Sequence, residues 1–546
     1  LYAFHPRGIP ALTNCIQEKQ KPFNIILFMC NWSPHVAFQR LQDSGSEIPA
    51  EIKMVRVPCT GRVTKSLLFK AFEKGADGVA LVGCRPGTCR YGSGTMIARH
   101  NTTDMQDIIE TVGLNHKRMR YATFEPDDEE GLLAFLKDFN AVIHDLGHSP
   151  IRSSGKTSPV VISREMIAEM VRTHDVFACQ DCGKCTSACS LALSGKPFSP
   201  RIVAESVIGG DLDSSAVREN IWSCLTCGIC YDRCPSAVNF PEFIRDIRHL
   251  YRLSDRGTHE SHGGFFHSLM RAMSASGLET KRWKHIPEGI RVDPDSKRLF
   301  FGGCAPYFDL FFRNHLGVDT QSILWDSLRL LNFFDIQPAV LHDERCCGHD
   351  LLWSGDRENF LKLARLNMET IHRHGFEEIV TACPECYRTL VHDYPAYGIE
   401  LDCKVTHLYD LLEAEIDKGA VEFKKLDKHL TFQDPCRLSR FEQRPELPRK
   451  LLNRLNSAGF TEMENSGSSA LCCGNSAWTG CDAYSKALQV KRLTEAHETG
   501  GDLLVTACPK CQIHLKCAMR DPFRGENLKM DMADIINLLA RTICWK

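Results

Sequence analysis

Cysteine carries the chemistry of this chain: 27 of its 546 residues, and they are spaced rather than scattered. Cys179-x2-Cys182-x2-Cys185-x3-Cys189 is followed by Cys224-x2-Cys227-x2-Cys230-x3-Cys234-Pro235. Three thiolates at x2 spacing wrap one face of an iron–sulfur cubane, and the x3 step sends the fourth sulfur across to a second cluster. One [4Fe-4S] is therefore assigned to Cys179, Cys182, Cys185 and Cys234, and another to Cys224, Cys227, Cys230 and Cys189. Zinc is the alternative for C-x2-C pairs, but it takes two pairs, not two matched runs of four. Ser190 stands where the pattern has Pro, which removes no ligand. Two such cubanes form a one-electron wire and do no substrate chemistry.

A second pattern occurs twice. Cys304, Cys346-Cys347-Gly348 and Cys383-x2-Cys386 are matched by Cys436, Cys472-Cys473-Gly474 and Cys508-x2-Cys511, with IVTACPECYRTL echoed by LLVTACPKCQIHL. Adjacent cysteines can both ligate only if the backbone bends, and the following Gly permits positive φ. Five thiolates exceed the need of a tetrahedral zinc or an ordinary cubane, so an unusual cluster is the inference. Buried thiols or two zinc sites are the alternatives. A third, weaker set is Cys30, Cys59, Cys84 and Cys89. Four thiolates suffice for a [2Fe-2S] centre.

On these residues the chain resembles known families. The doubled Cys-Cys-Gly pattern is similar to the catalytic B subunit of heterodisulfide reductase. That resemblance implies two non-cubane [4Fe-4S] clusters, each held by all five cysteines of its set, that split a disulfide between them. Residues 159–258 resemble the small C subunit of the same enzyme. Residues 21–148 resemble the delta subunit of methyl-viologen-reducing hydrogenase, which implies one [2Fe-2S] cluster on Cys30, Cys59, Cys84 and Cys89. That family's first motif reads Cys-Asn-Trp-Cys; here Ser33 replaces the second Cys. This leaves open which ligands are used, with the Ser33 oxygen an outside candidate, and a site that has lost its cluster and only docks a partner is the alternative.

The elements that must position these sets follow. Length predicts three to four domains at about 150 residues each. KPFNIILFMC and GVALVGC read as buried strands around a helix at 65–75 with a Gly C-cap, and another helix is predicted at 130–146. GSGT (92–95) is read as a turn bringing backbone close to the cluster rather than a phosphate cradle. Residues 148–159 read as a linker and 259–296 as a second connector. In the lobes the cysteines follow short β-rich runs, which puts ligands at strand C-termini. The chain is thus multidomain: an α/β N-terminal domain (21–148), a mainly α-helical two-cluster ferredoxin domain (160–258), and two tandem α/β lobes carrying Cys-Cys-Gly (297–428 and 429–546).

Composition excludes other classes. Net charge is −2, and no basic field argues for nucleic acid. No run of 18 apolar residues predicts a membrane span. The start lacks a signal peptide's charged and apolar regions, so a cytoplasmic setting is expected, although residue 1 is not Met. The three sets use 22 of the 27 cysteines. Cys15, Cys403, Cys481, Cys517 and Cys544 read as core or surface thiols. His342, His349 and His407 near the first lobe read as loop caps or sulfur partners, with proton donation the sharper alternative. The run 245–256 reads as a solvated helix face, with partner docking the alternative.

No G-x-G-x-x-G fingerprint is present, so FAD is expected on a partner. The family implies that partner to be an A-type FAD-containing flavoprotein, with hydrogenase or formate dehydrogenase as electron donor, in a higher-order hetero-oligomer performing electron bifurcation. The expected substrate is a small-molecule thiol-coenzyme disulfide. The rival reading is an electron-transfer module of a class II benzoyl-CoA reductase-type complex without a disulfide substrate. A membrane-associated quinone-linked oxidoreductase is less favoured.

Overall fold

The computed structural model describes residues 22–152, 158–419, 421–523 and 526–545. Cys15, residue 21 and the middle of the 148–159 segment lie outside them. The N-terminal apolar runs form β1 (Ile25–Cys30), β2 (Ile52–Val57), β3 (Gly78–Gly83) and β4 (Met119–Thr123). They pair in parallel in the order β2-β1-β3-β4. Helices Ser33–Asp43, Lys65–Glu73, Gly94–Val112 and Glu129–Leu146 connect and cover them. β3 is buried throughout, which is why it reads as an unbroken apolar run. Strand order reverses between β1 and β3, leaving a crevice at their C-terminal ends. Cys30, Cys59 and Cys84 stand there, at the ends of β1, β2 and β3.

The ferredoxin region is built from short helices, with Arg164–Thr173, Pro200–Ile208 and Phe240–Leu253 the longest. The run 245–256 is not a solvated face. Arg245 and Arg248 are buried, Arg248 completely. Arg248 donates to the carbonyls of Ile221, Cys224 and Trp353, and Arg252 to that of Ser354. Helix His349–Trp353 ends with carbonyls that have no partner within the helix, and these guanidinium groups supply it. A cluster of basic residues here fastens the ferredoxin region to the first lobe.

Residues 259–296 are also more than a connector. Helix Phe265–Met273 packs on helix Lys65–Glu73 and against the first lobe. Ser66 donates to the His262 carbonyl at 2.6 Å, and Arg271 pairs with Glu73 at 2.8 Å. Its sequence has an apolar face of Phe265, Phe266, Leu269, Met270 and Met273 opposite His267 and Arg271, and the fold buries His267 and Ser268 as well.

The two lobes repeat one topology. Lobe one has β5 (Arg298–Phe300), β6 (Glu378–Thr381) and β7 (Lys404–His407) in that order, with Ala339 bridging Leu299 in parallel at the outer edge. Lobe two has β8 (Leu426–Gln433), β9 (Ser457–Phe460), β10 (Leu503–Thr506) and β11 (Asp531–Asp534), ordered β9-β8-β10-β11. Helix Gln321–Phe333 of lobe one packs on Ile535–Thr542 of lobe two, and Leu408–Lys418 packs on Glu446–Leu452. These pairs exchange under the repeat, so the lobes are related by an approximate two-fold axis. Leu328, Leu412, Leu451 and Leu539 belong to one apolar core that crosses it.

Three buried histidines give this assembly a defined acid limit. Burial lowers His262 to about 4 and His267 and His407 to about 3. The unfolded chain takes up these protons near the ordinary histidine value of about 6.5. The stabilisation is therefore complete above 6.5 and is lost as pH falls through 6.5 towards 4. Each histidine is expected to cost on the order of 2 kcal/mol between pH 7 and pH 5. Urea unfolding across that range checks it: His267→Gln should flatten the slope, and an unchanged slope would refute the assignment.

Candidate iron–sulfur sites

In the N-terminal crevice the four cysteines converge. Cys30 Sγ lies 3.6 Å from Cys84 Sγ, far beyond a disulfide bond. Cys59 and Cys89 lie close enough to interact. The Cys30 thiol, aided by the Ser33 hydroxyl and amide, pulls Cys84 down to about 6. Ser33 is thus part of the site through its contact with Cys84. Gly94 opens helix Gly94–Val112 directly behind it. A Cβ there would come within 2.4 Å of Cys59 Sγ and 3.0 Å of Cys89 Sγ. The GSGT segment is the close backbone approach that its composition predicts. Gly94→Ala is expected to lower iron by about two atoms per chain, the content of one [2Fe-2S] centre. An iron assay with spectra of the remaining centres checks it; full iron content would refute it.

The ferredoxin cysteines fall into a buried and an exposed group. Cys189, Cys224, Cys227 and Cys230 line one cavity with Phe198, Pro200 and Phe240. Burial pushes Cys189 up to about 12 and Cys224 to about 11. Such thiols give up their protons to a metal, not to water. Cys179 and Cys182 are exposed, while Cys185 and Cys234 are half-buried. In both runs an αL residue, a cysteine and an αL glycine follow one another: Asp181-Cys182-Gly183 and Thr226-Cys227-Gly228. This wraps the chain around whatever the sulfurs hold.

Lobe one brings Cys304, Cys346, Cys347, Cys383 and Cys386 into one cavity. Cys304 Sγ is 2.8 Å from Cys346 Sγ, and Cys347 interacts with Cys346 and Cys386. A Cβ on Gly303 would lie 2.8 Å from Cys386 Sγ, so only glycine leaves room. Gly348 and Gly474 take the positive φ that the Cys-Cys bend requires. In lobe two Cys472, Cys473, Cys508 and Cys511 interact as a group, and Cys436 is electrostatically coupled to Cys473 and Cys227. Convergent unpaired thiols and glycine-lined approaches fit a cluster in each lobe.

The sets are joined. Arg440 donates to the Cys227 carbonyl at 2.7 Å, and Arg437 to the Thr226 carbonyl at 2.7 Å, so the second ferredoxin run abuts lobe two. Cys508 and Lys510 of lobe two line the lobe-one cavity. Lys510 Nζ pairs with Asp350 at 2.5 Å and Glu385 at 2.6 Å across the axis. The cysteine-rich regions match known families. Residues 25–147 match the methyl-viologen-reducing hydrogenase delta subunit, 173–238 a 4Fe-4S dicluster domain, and 300–391 and 430–516 the cysteine-rich CCG domain. In these regions the chain is similar to heterodisulfide reductase-like iron–sulfur proteins.

Among its relatives, the B subunit of fumarate reductase (CoM/CoB) from Methanothermobacter marburgensis is 27% identical over 384 residues, 67% of this chain and 73% of that protein. The D subunit of dihydromethanophenazine:CoB–CoM heterodisulfide reductase from Methanosarcina acetivorans is 26% identical over 424 residues, 71% of this chain and 98% of that protein. Among the described residues no helix is long and apolar enough to cross a membrane.

Sequence reading named three histidines near lobe one. His407 caps helix Leu408–Lys418, and His342 offers its carbonyl to Thr280. His349 bonds Thr389 at 2.9 Å and accepts from Arg437 at 3.2 Å, between the lobes. The residue it missed is His514, whose Nδ1 lies 3.3 Å from Cys473 Sγ. The available signal was the repeat itself, where Thr389 and His514 occupy equivalent positions in IVTACPECYRTL and LLVTACPKCQIHL.

Proposed function

We propose that the chain is the electron-transfer and disulfide-reducing subunit of a heterodisulfide reductase-like, electron-bifurcating complex. The observation that carries this reading is the meeting of two complete five-cysteine sets, with Cys508 and Lys510 of one lining the cavity of the other. The clusters, when bound, supply the electrons that split a disulfide into two thiols. Cys304, Cys346, Cys347, Cys383 and Cys386 would hold one non-cubane [4Fe-4S], and Cys436, Cys472, Cys473, Cys508 and Cys511 the other. Cys179, Cys182, Cys185 and Cys234, with Cys224, Cys227, Cys230 and Cys189, would hold the cubanes. Cys30, Cys59, Cys84 and Cys89 would hold a [2Fe-2S].

The chain's own residues support this route. Arg437 and Arg440 hold the peptide around Cys227 against lobe two. The face-to-face lobes leave one disulfide sulfur to each, and two protons complete two thiols. Partners by the same reading are an A-type FAD flavoprotein and a hydrogenase or formate dehydrogenase donor. The names of the relatives, with CoM and CoB in both, make a heterodisulfide of two thiol coenzymes the first substrate to try.

The test is anaerobic purification of the complex and an assay with reduced viologen and a thiol-coenzyme heterodisulfide. Turnover is expected, with about 18 iron atoms per chain if all five sites fill. Full iron content without turnover would reject disulfide reduction and leave the electron-transfer module.

A further inference from the structure

The two lobes repeat one topology, yet their cysteine sets do not stand in equivalent surroundings. In lobe two, His514 Nδ1 lies 3.3 Å from Cys473 Sγ. A cysteine sulfur that ligates metal has no proton to give, so the ring nitrogen is the donor. The equivalent residue of lobe one is Thr389. Its hydroxyl is spent on His349 at 2.9 Å and Asp393 at 3.2 Å.

The imidazole is held in place. Trp478 meets it edge-on with centroids 5.4 Å apart, and Trp478 in turn stacks on Phe266 at 4.1 Å. Trp478 and its neighbour Ala477 both adopt positive φ, 52° and 50°, which non-glycine residues rarely do. Strain of this kind persists only where the surroundings over-determine it, and it gathers at functional sites.

Fixed charge does not by itself rank the lobes, since each has a buried guanidinium group that donates to carbonyls. On the lobe-two side Arg437 and Arg440 are buried and donate to carbonyls, and neither makes an ion pair with a carboxylate among the described residues. On the lobe-one side Arg282 is cancelled by Glu344 and Lys510 faces Asp350 and Glu385, while Arg345 beside Cys346 is buried and donates to the carbonyls of Met273, Ala275 and Leu278. What separates the lobes is the side-chain donor on Cys473, and a hydrogen bond to sulfur stabilises the electron-rich form of an iron–sulfur centre.

We propose that His514 sets the order in which the two lobes accept electrons, its bond to Cys473 making the lobe-two centre the easier to reduce. Lobe one is tied to the second ferredoxin run through Arg248, while lobe two packs directly on that run at Thr226 and Cys227. One electron passing from that cubane settles there, and the lobe-one centre fills second. The proposal rests on the reading that both five-cysteine sets hold clusters.

The test is a redox titration of the full chain without substrate, each lobe's paramagnetic signal being identified by its loss in Cys347→Ser or Cys473→Ser. The lobe-two midpoint should lie above that of lobe one. His514→Leu should lower the lobe-two midpoint by about 59 mV, a tenfold change in a one-electron equilibrium. Lobe one and the cubanes should stay within a small fraction of that, and His514→Asn, which keeps a donor, should recover most of the shift. In wild-type protein made with ring-15N histidine, the lobe-two signal should show a 15N hyperfine coupling that lobe one lacks. An unmoved lobe-two midpoint, or no ring-15N coupling there, overturns the proposal while leaving the cluster reading intact. The hyperfine measurement decides the case if His514→Leu loses its cluster. A wild-type chain with cubane signals but no lobe signal would overturn both.

Discussion

Serine in place of Cys347 or Cys473 is expected to abolish the proposed disulfide turnover, by about 1,000-fold or more, the scale of losing an essential member of a catalytic unit. Each cysteine is central to its set. Cys347 interacts with Cys346 and Cys386, and Cys473 with Cys472, Cys511 and His514. A hydroxyl is a harder and poorer ligand than a thiolate for iron–sulfur clusters. The ferredoxin sites lie outside both lobes, so the cubane signals should survive in the inactive variants. Cys403→Ser is the control: that thiol is half-buried and belongs to no set, and its loss should leave turnover unchanged. Viologen-driven turnover measured beside iron content and spectra decides the matter. Turnover retained in Cys347→Ser would mean that lobe one is not needed and that a single lobe carries the reaction. The two variants together thus test whether both lobes act, which neither the repeat nor the spacing alone can establish.

How much of this was legible beforehand depended on locality. Cysteine spacing is local, so the ferredoxin runs and the doubled Cys-Cys-Gly sets could be read directly, and the glycines after each Cys-Cys pair take the bend their position required. The strands before Cys30, Cys84, Cys383 and Cys508 were visible as short apolar runs. What could not be read was the packing of one region on another. Arg248 looks solvent-bound in a basic run, yet its partners are carbonyls of Ile221, Cys224 and Trp353. Helix Phe265–Met273 does carry a periodic apolar face, but at nine residues it is short and follows a stretch of Gly, His and charge that reads as a connector. Lys510 and Glu385 occupy the same place in the two repeats, and their opposite charges become meaningful only once the two-fold axis brings them together.

That pair yields the second large effect. Lys510→Met should destabilise the chain by about 3–5 kcal/mol, the usual cost of removing one partner from a buried ion pair. Lys510 and Asp350 side chains are only 5% and 6% exposed, and the ammonium is the cation that both carboxylates face. Burial already raises Asp350 to about 6 in the presence of the lysine. Without it Asp350 favours its neutral form more strongly. A folded pKa raised above the unfolded value gives stability that is present in acid and lost as pH rises through the folded pKa. The Lys510→Met deficit should therefore be small at pH 5 and grow as pH rises through 6 towards 8. Adding Asp350→Asn and Glu385→Gln to Lys510→Met should restore most of the loss and remove the pH dependence, because no uncompensated charge is then left at the lobe interface. Urea unfolding of the single and triple variants at both pH values checks this. A deficit that does not change with pH, or a triple variant no better than the single, would mean that Lys510 acts through packing and not as the counter-charge that lets two carboxylates sit between the lobes.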